Sequence, residues 1–101
     1  MLKMKEGITR ISKSAVQMVF NRVIKTYGLP NDSPFDEGTK EFRHKFLAVD
    51  RGWKNDYSLV VVNESGEFTY FVGGKNLSSK DFYFYLRGIA DAKELQKIKW
   101  L

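Results

Sequence analysis

The stretch Tyr57-Ser58-Leu59-Val60-Val61-Val62-Asn63-Glu64-Ser65-Gly66-Glu67-Phe68-Thr69-Tyr70-Phe71-Val72 decides the fold. Two runs rich in β-branched and aromatic residues flank a short polar segment with a glycine, which is the pattern of a β-hairpin. Two closures compete. A two-residue turn at Ser65-Gly66 would set Glu64 directly opposite Glu67, and like charges facing each other across a ladder cost stability. A three-residue loop with Gly66 in the left-handed region pairs Asn63 with Glu67 instead. That register sets Val62 against Phe68, Val60 against Tyr70 and Leu59 against Phe71. Val60, Val62, Phe68 and Tyr70 then share one face, and Leu59, Val61 and Phe71 the other. Both faces are apolar, so water cannot bathe either side of this sheet. The N-terminal helix can cover one face. The other needs a second layer, from this chain or from a partner.

Upstream, the spacing predicts a helix over residues 9–27. Ile11, Ala15, Met18, Val19, Val23 and Tyr27 recur at steps of three and four, and Val16, Phe20 and Ile24 widen the stripe. Arg10, Lys13, Ser14, Gln17, Asn21 and Lys25 form the outer side, Gly28 stops the helix and Pro30 prevents its continuation. Residues 29–39 read as an acidic loop by their turn chemistry. Asp32, Asp36 and Glu37 match no calcium-loop spacing, so turn and cap roles suit them better than metal ligation.

The period then falls to two. Phe42, His44, Phe46 and Ala48 alternate with Arg43, Lys45, Leu47 and Val49, which predicts a strand, with a turn at 50–56 after it. Strands over 57–63 and 67–72 complete a meander. Downstream of Gly73-Gly74-Lys75, Ser78 and Asp81 stand in capping-box spacing, opening a helix that is expected to break near Gly88. Asp91 and Glu94 form a second box, opening a short terminal helix. The fold expected is a single α/β domain of the α+β type over residues 1–101: helix, three-stranded antiparallel meander, helix, short C-terminal helix. Residues 1–8 read as a flexible basic segment ahead of it.

The chain has 101 residues, 43% of them hydrophobic and 29% charged, with no cysteine. Disulfides, thiolate metal sites and cysteine nucleophiles are excluded together. No apolar run reaches the ~18 residues of a membrane span, and the start lacks the apolar core of a signal peptide, so the chain reads as cytoplasmic. The whole net charge of +5 arises in residues 1–27, where six basic residues face Glu6 alone. A positive excess at one end attracts polyanions or an acidic protein surface.

Catalytic constellations are missing. His44 is the only histidine and alternates with phenylalanines, which suits a packed strand residue better than a base or ligand. No nucleophile elbow surrounds Ser12 or Ser58, and no phosphate- or dinucleotide-binding glycine pattern occurs. No catalytic residue, metal site or cofactor is assigned, and the chain reads as a non-enzyme. Gly73-Gly74-Lys75 ahead of a capped helix is the best anion candidate, although glycines between strand and helix more often simply make the turn.

Two segments suggest contact with something else. Arg51-Gly52-Trp53-Lys54 sets an indole between cations, either folded back over the sheet, which the residues favour, or exposed to stack a base. In Phe82-Tyr83-Phe84-Tyr85-Leu86, the residues Phe82, Tyr85, Leu86 and Ile89 make a core stripe, while Tyr83 and Phe84 lie off it. A helix apolar nearly all round in so small a domain presents aromatics to a partner.

The order helix, three antiparallel strands, helix resembles that of double-stranded-RNA-binding domains, and residues 73–80 resemble that family's approach to its last helix. The family's closing helix begins with basic residues and continues with alanine-rich packing, where this chain has bulky aromatics. The resemblance is therefore one of topology, which carries no function by itself.

The expected function is a non-catalytic interaction protein that binds a protein or nucleoprotein through Tyr83, Phe84, Arg87 and Trp53, with a second copy of the chain as one candidate partner. Small cysteine-free accessory proteins of phages and mobile elements, inhibitors of host machinery among them, have this character. The competing expectation is direct nucleic-acid binding, with Arg10, Lys13, Arg22, Lys25, Arg43, Lys45, Arg51, Lys54 and Lys75 on phosphates and Trp53 stacking.

Overall fold

A computed structural model describes residues 11–30 and 35–98. Helix α1 spans Lys13–Tyr27, a small hairpin pairs β1 (Phe35–Asp36) with β2 (Glu41–Phe42), and the meander is β3 (Phe46–Arg51), β4 (Tyr57–Val62) and β5 (Phe68–Tyr70). A 3-10 turn at Val72–Gly74 leads into α2, Ser79–Gln96. The class is mixed α+β, as expected.

The deciding hairpin closes by the three-residue route. Asn63 N–H donates to the Glu67 carbonyl, Gly66 sits at φ 84°, and Val62 pairs with Phe68 and Val60 with Tyr70. Just beyond the strand, Phe71 N–H donates to the Leu59 carbonyl. Asn63 also holds the loop through its side-chain oxygen, which accepts from the backbone N–H groups of Ser65 and Glu67. The strand ends at Tyr70, short of the expected 72, because Val72 opens the 3-10 turn.

Both helices lie on one face of the meander. Ile11 N–H donates to Ser79 Oγ near the two N-termini, and Arg22 reaches Asp91 and Glu94 further along, so the helices run in the same sense. Val16, Val19 and Val23 of α1 and Phe82, Leu86 and Ala90 of α2 close over Tyr57 and Leu59 of β4. One helix was expected on this face; two are needed because each offers only a narrow buried stripe.

The opposite face gains its second layer in part from the chain itself. Phe42 packs edge-on against Phe35 with ring centroids 5.1 Å apart, and stands 4.9 Å from Phe46. The Phe42 N–H donates to the Glu64 carbonyl, pinning the small hairpin to the β4–β5 loop. Val60 and Val62 are buried, while Phe68 and Tyr70 remain exposed at the rim.

Several boundaries differ from the sequence expectation. Helix α1 begins at Lys13 because the Ser12 hydroxyl accepts from Ala15 N–H as an N-cap; the predicted start at Thr9 lies outside the described residues, as do Arg10 and residues 1–8. Its left-handed cap at Gly28, φ 66°, is where expected. The segment 29–39 is not all loop, since Phe35 and Asp36 pair with Phe42 and Glu41. The alternation over 42–49 is not one strand: the chain bends at Arg43 and His44, leaving His44 exposed rather than packed. Helix α2 runs unbroken through Gly88, where an added Cβ would point into open space, so the expected terminal helix is its last turns. One glycine in eighteen helical residues costs only about 1 kcal/mol, which the buried Leu86 and Ala90 on either side outweigh.

Candidate functional site

Phe82 and Leu86 point into the core, which turns Phe84 outward. Ser78 fixes this phase by accepting from Asp81 N–H through its hydroxyl as the N-cap, so that α2 starts at Ser79. Phe84 is 48% exposed, and Tyr83, half-buried against the core, meets its ring edge-on at 5.2 Å. The Arg87 guanidinium lies 5.7 Å from the Tyr83 ring and 5.8 Å from that of Phe84. A cation over two aromatic faces is held by their quadrupoles and keeps both rings in one arrangement.

Beside this cluster an open cleft of about 250 Å³ separates the helices, lined by Ala15, Met18, Val19, Arg22, Tyr83 and Arg87. Met18 is 71% exposed on its rim. The sequence stripe placed Met18 in the core; the buried stripe is instead Val16, Val19 and Val23. Helical spacing alone did not separate the two, since Met18 is a step of three from Ala15 and adjacent to Val19. Its unbranched, polarisable side chain suits an adaptable contact.

Trp53 stands apart from this cluster in sequence and structure, at the tip of the β3–β4 hairpin. It is 90% exposed, so it does not fold back over the sheet. The reason is local: Gly52 N–H bonds the Asp56 carbonyl, and the Asp56 carboxylate lies so close that a Cβ on Gly52 would collide with it. This tight closure projects the turn away from the sheet. Lys54 Nζ lies 5.4 Å from the indole.

Among the described residues, the basic side chains do not gather into one surface. Arg22 bonds Asp91 at 2.8 Å and Glu94 at 3.3 Å, and the Asp91 hydrogen bond raises its pKa above the ordinary value. Arg43 stands 4.0 Å from Asp36. Lys75 lies over the Tyr70 ring at 4.9 Å, on the β5 side. Lys25 borders a separate hollow at the end of α1 with Asn21, Ile24, Gly28 and Leu29, and Lys45 is exposed after the bend. Lys13 and Arg51 share a cleft, which Ile11, Ser12, Asn55, Tyr57, Ser78 and Ser79 also line.

Gly73-Gly74-Lys75 makes no phosphate cradle. The Tyr85 ring packs onto Gly73 and Gly74, and a Cβ at Gly74 would run into it. The glycines are there to admit a ring, and the burial that results raises the Tyr85 pKa. Among the described residues no group of three or more histidine, cysteine or acidic side chains is placed to hold a metal, and no helix is long and apolar enough to cross a membrane. No protein-family model, curated protein or solved structure matches this chain.

Proposed function

We propose that this chain is a non-catalytic interaction protein whose docking surface is the outer side of the helix pair, centred on Phe84, Tyr83, Arg87 and Met18. The observation that carries the reading is the exposure of Met18 and Phe84 at the edge of a cleft whose floor is apolar and whose cations are held in place. An aromatic, arginine and methionine grouping is the composition of an interface centre, where few residues supply most of the binding energy. Its position on two rigid helices, rather than on a loop, favours binding without rearrangement. An accessory or inhibitory role needs no chemistry of its own and is compatible with such a surface.

The test is comparative co-purification from nuclease-treated lysate of the source cell, with the natural chain and with Met18→Ser combined with Phe84→Ala. A protein retained by the natural chain and lost by the variant, with the variant still folded by thermal unfolding, supports the reading. Retention by both, or by neither, overturns it. Light scattering of the purified chain over a concentration series identifies the case in which the partner is a second copy.

A further inference from the structure

We propose a second binding site, for single-stranded nucleic acid, in the cleft between the start of α1 and the β3–β4 hairpin, with Trp53 as the base-stacking platform. The proposal does not depend on the helix-pair surface and goes beyond it. The cleft holds about 420 Å³ and is lined by Ile11, Ser12, Lys13, Arg51, Asn55, Tyr57, Ser78 and Ser79, with no carboxylate among them. Along α1 it adjoins a second hollow that shares Lys13, Arg51 and Tyr57 and again has no acidic wall.

The serine hydroxyls each accept one backbone bond, Ser12 from Ala15 N–H, Ser78 from Asp81 N–H and Ser79 from Ile11 N–H, which leaves their O–H groups to donate. The cleft therefore offers hydroxyl donors together with the positive charge of Lys13 and Arg51. The Arg51 guanidinium lies 4.2 Å over the Tyr57 ring and donates to Asn55 Oδ1, so it is held in place rather than free in solvent. Neither Lys13 nor Arg51 has a carboxylate within ion-pair distance among the described residues. A surface of this sign and fixity is complementary to a phosphate backbone.

The indole selects the form of nucleic acid. Arg51 and Asn55 line the cleft and flank the turn that carries Trp53, so the exposed indole stands two residues along the chain from each of them. An exposed ring can stack only on a base whose face is open, and bases inside a duplex are already stacked. Lys54 beside the indole adds a third cation for the backbone. Stacking and phosphate contact do not read sequence, so binding is expected to tolerate any base.

The test uses a fluorescein-labelled oligothymidylate of about 20 nucleotides, read by anisotropy, and the full chain carrying Trp100→Phe so that Trp53 is the remaining indole. Binding at low salt should quench Trp53 emission. With three cations on phosphates, log affinity should fall against log salt with a slope of about −2. Trp53→Ala should weaken binding about 10- to 100-fold while Trp53→Phe retains most of it. Lys13→Glu should weaken binding and flatten the salt slope, and a negative charge at a helix start does not harm the fold. Phe84→Ala should leave the affinity unchanged, which separates this site from the helix-pair surface. The proposal is overturned if anisotropy does not change at low salt, if Trp53→Ala binds as the parent does, or if duplex DNA or polyglutamate competes as well as the single strand.

Discussion

Tyr57 and Phe82 stack nearly parallel, with ring centroids 5.4 Å apart and 19° between their planes, joining the central strand to the second helix. Both are buried, and Phe82 is fully so. Phe82→Ala should therefore cost about 3–5 kcal/mol, much of the 5–15 kcal/mol typical of such a domain. Urea unfolding monitored by circular dichroism should show a large fall in midpoint or no folded baseline. The half-exposed neighbour is the contrast: Phe84→Ala, which loses the Tyr83 ring contact and the Arg87 cation, should cost only about 1 kcal/mol.

Gly74 and Tyr85 should behave as one unit. A methyl at Gly74 displaces the Tyr85 ring, and overpacking of this kind costs about 1–3 kcal/mol. Tyr85→Leu with Gly74→Ala should destabilise less than the two single changes added together, because the smaller side chain makes room. A double-mutant cycle in urea measures the coupling, and simple additivity would refute the packing described.

This pair also shows what the sequence could and could not reveal. Gly73-Gly74 announces a turn, but the ring that requires those glycines lies eleven residues on from Gly74, and helical spacing alone does not fix which wall Tyr85 meets. The β4–β5 register was legible because the alternative set Glu64 against Glu67, a local clash visible in the letters. The β1–β2 hairpin was not, since two-residue strands carry no period and their partner Phe46 is defined only in three dimensions. Trp53 was misplaced for a similar reason: the closure that projects it, a Gly52–Asp56 backbone hydrogen bond with the Asp56 carboxylate packed against Gly52, exists only in three dimensions. Of the candidate contact residues, Phe84 was legible from helical phase, whereas Met18 shared its stripe with true core positions.

Stability should be flat through neutral pH and fall in alkali. Tyr70 donates to Asp50 Oδ2 at 2.9 Å, and this bond raises its pKa; burial does the same for Tyr85. A raised folded-state pKa means the stabilisation is fully present below the unfolded value of about 10 and is lost as pH climbs through the folded value. Melting temperature measured from pH 7 to 11 (about the range over which tyrosine goes from neutral to ionised) should drop above about pH 10. The Tyr70→Phe, Tyr85→Phe double variant should show a shallower alkaline limb than the parent.

Gly66 at φ 84° fixes the register that makes both sheet faces apolar. Gly66→Ala should cost about 1–2 kcal/mol, and Gly66→Asn less, because asparagine tolerates the left-handed region. Equal losses in thermal denaturation would show that the loop has another conformation.

The docking surface is tested most directly by placing a photo-crosslinking phenylalanine analogue at position 84, with the same analogue at exposed Lys97 as the control. Irradiated in the source cell, the chain labelled at 84 should yield a discrete adduct that Arg87→Glu removes, and the chain labelled at 97 should not. The same adducts from both positions, or none from 84, would contradict the account.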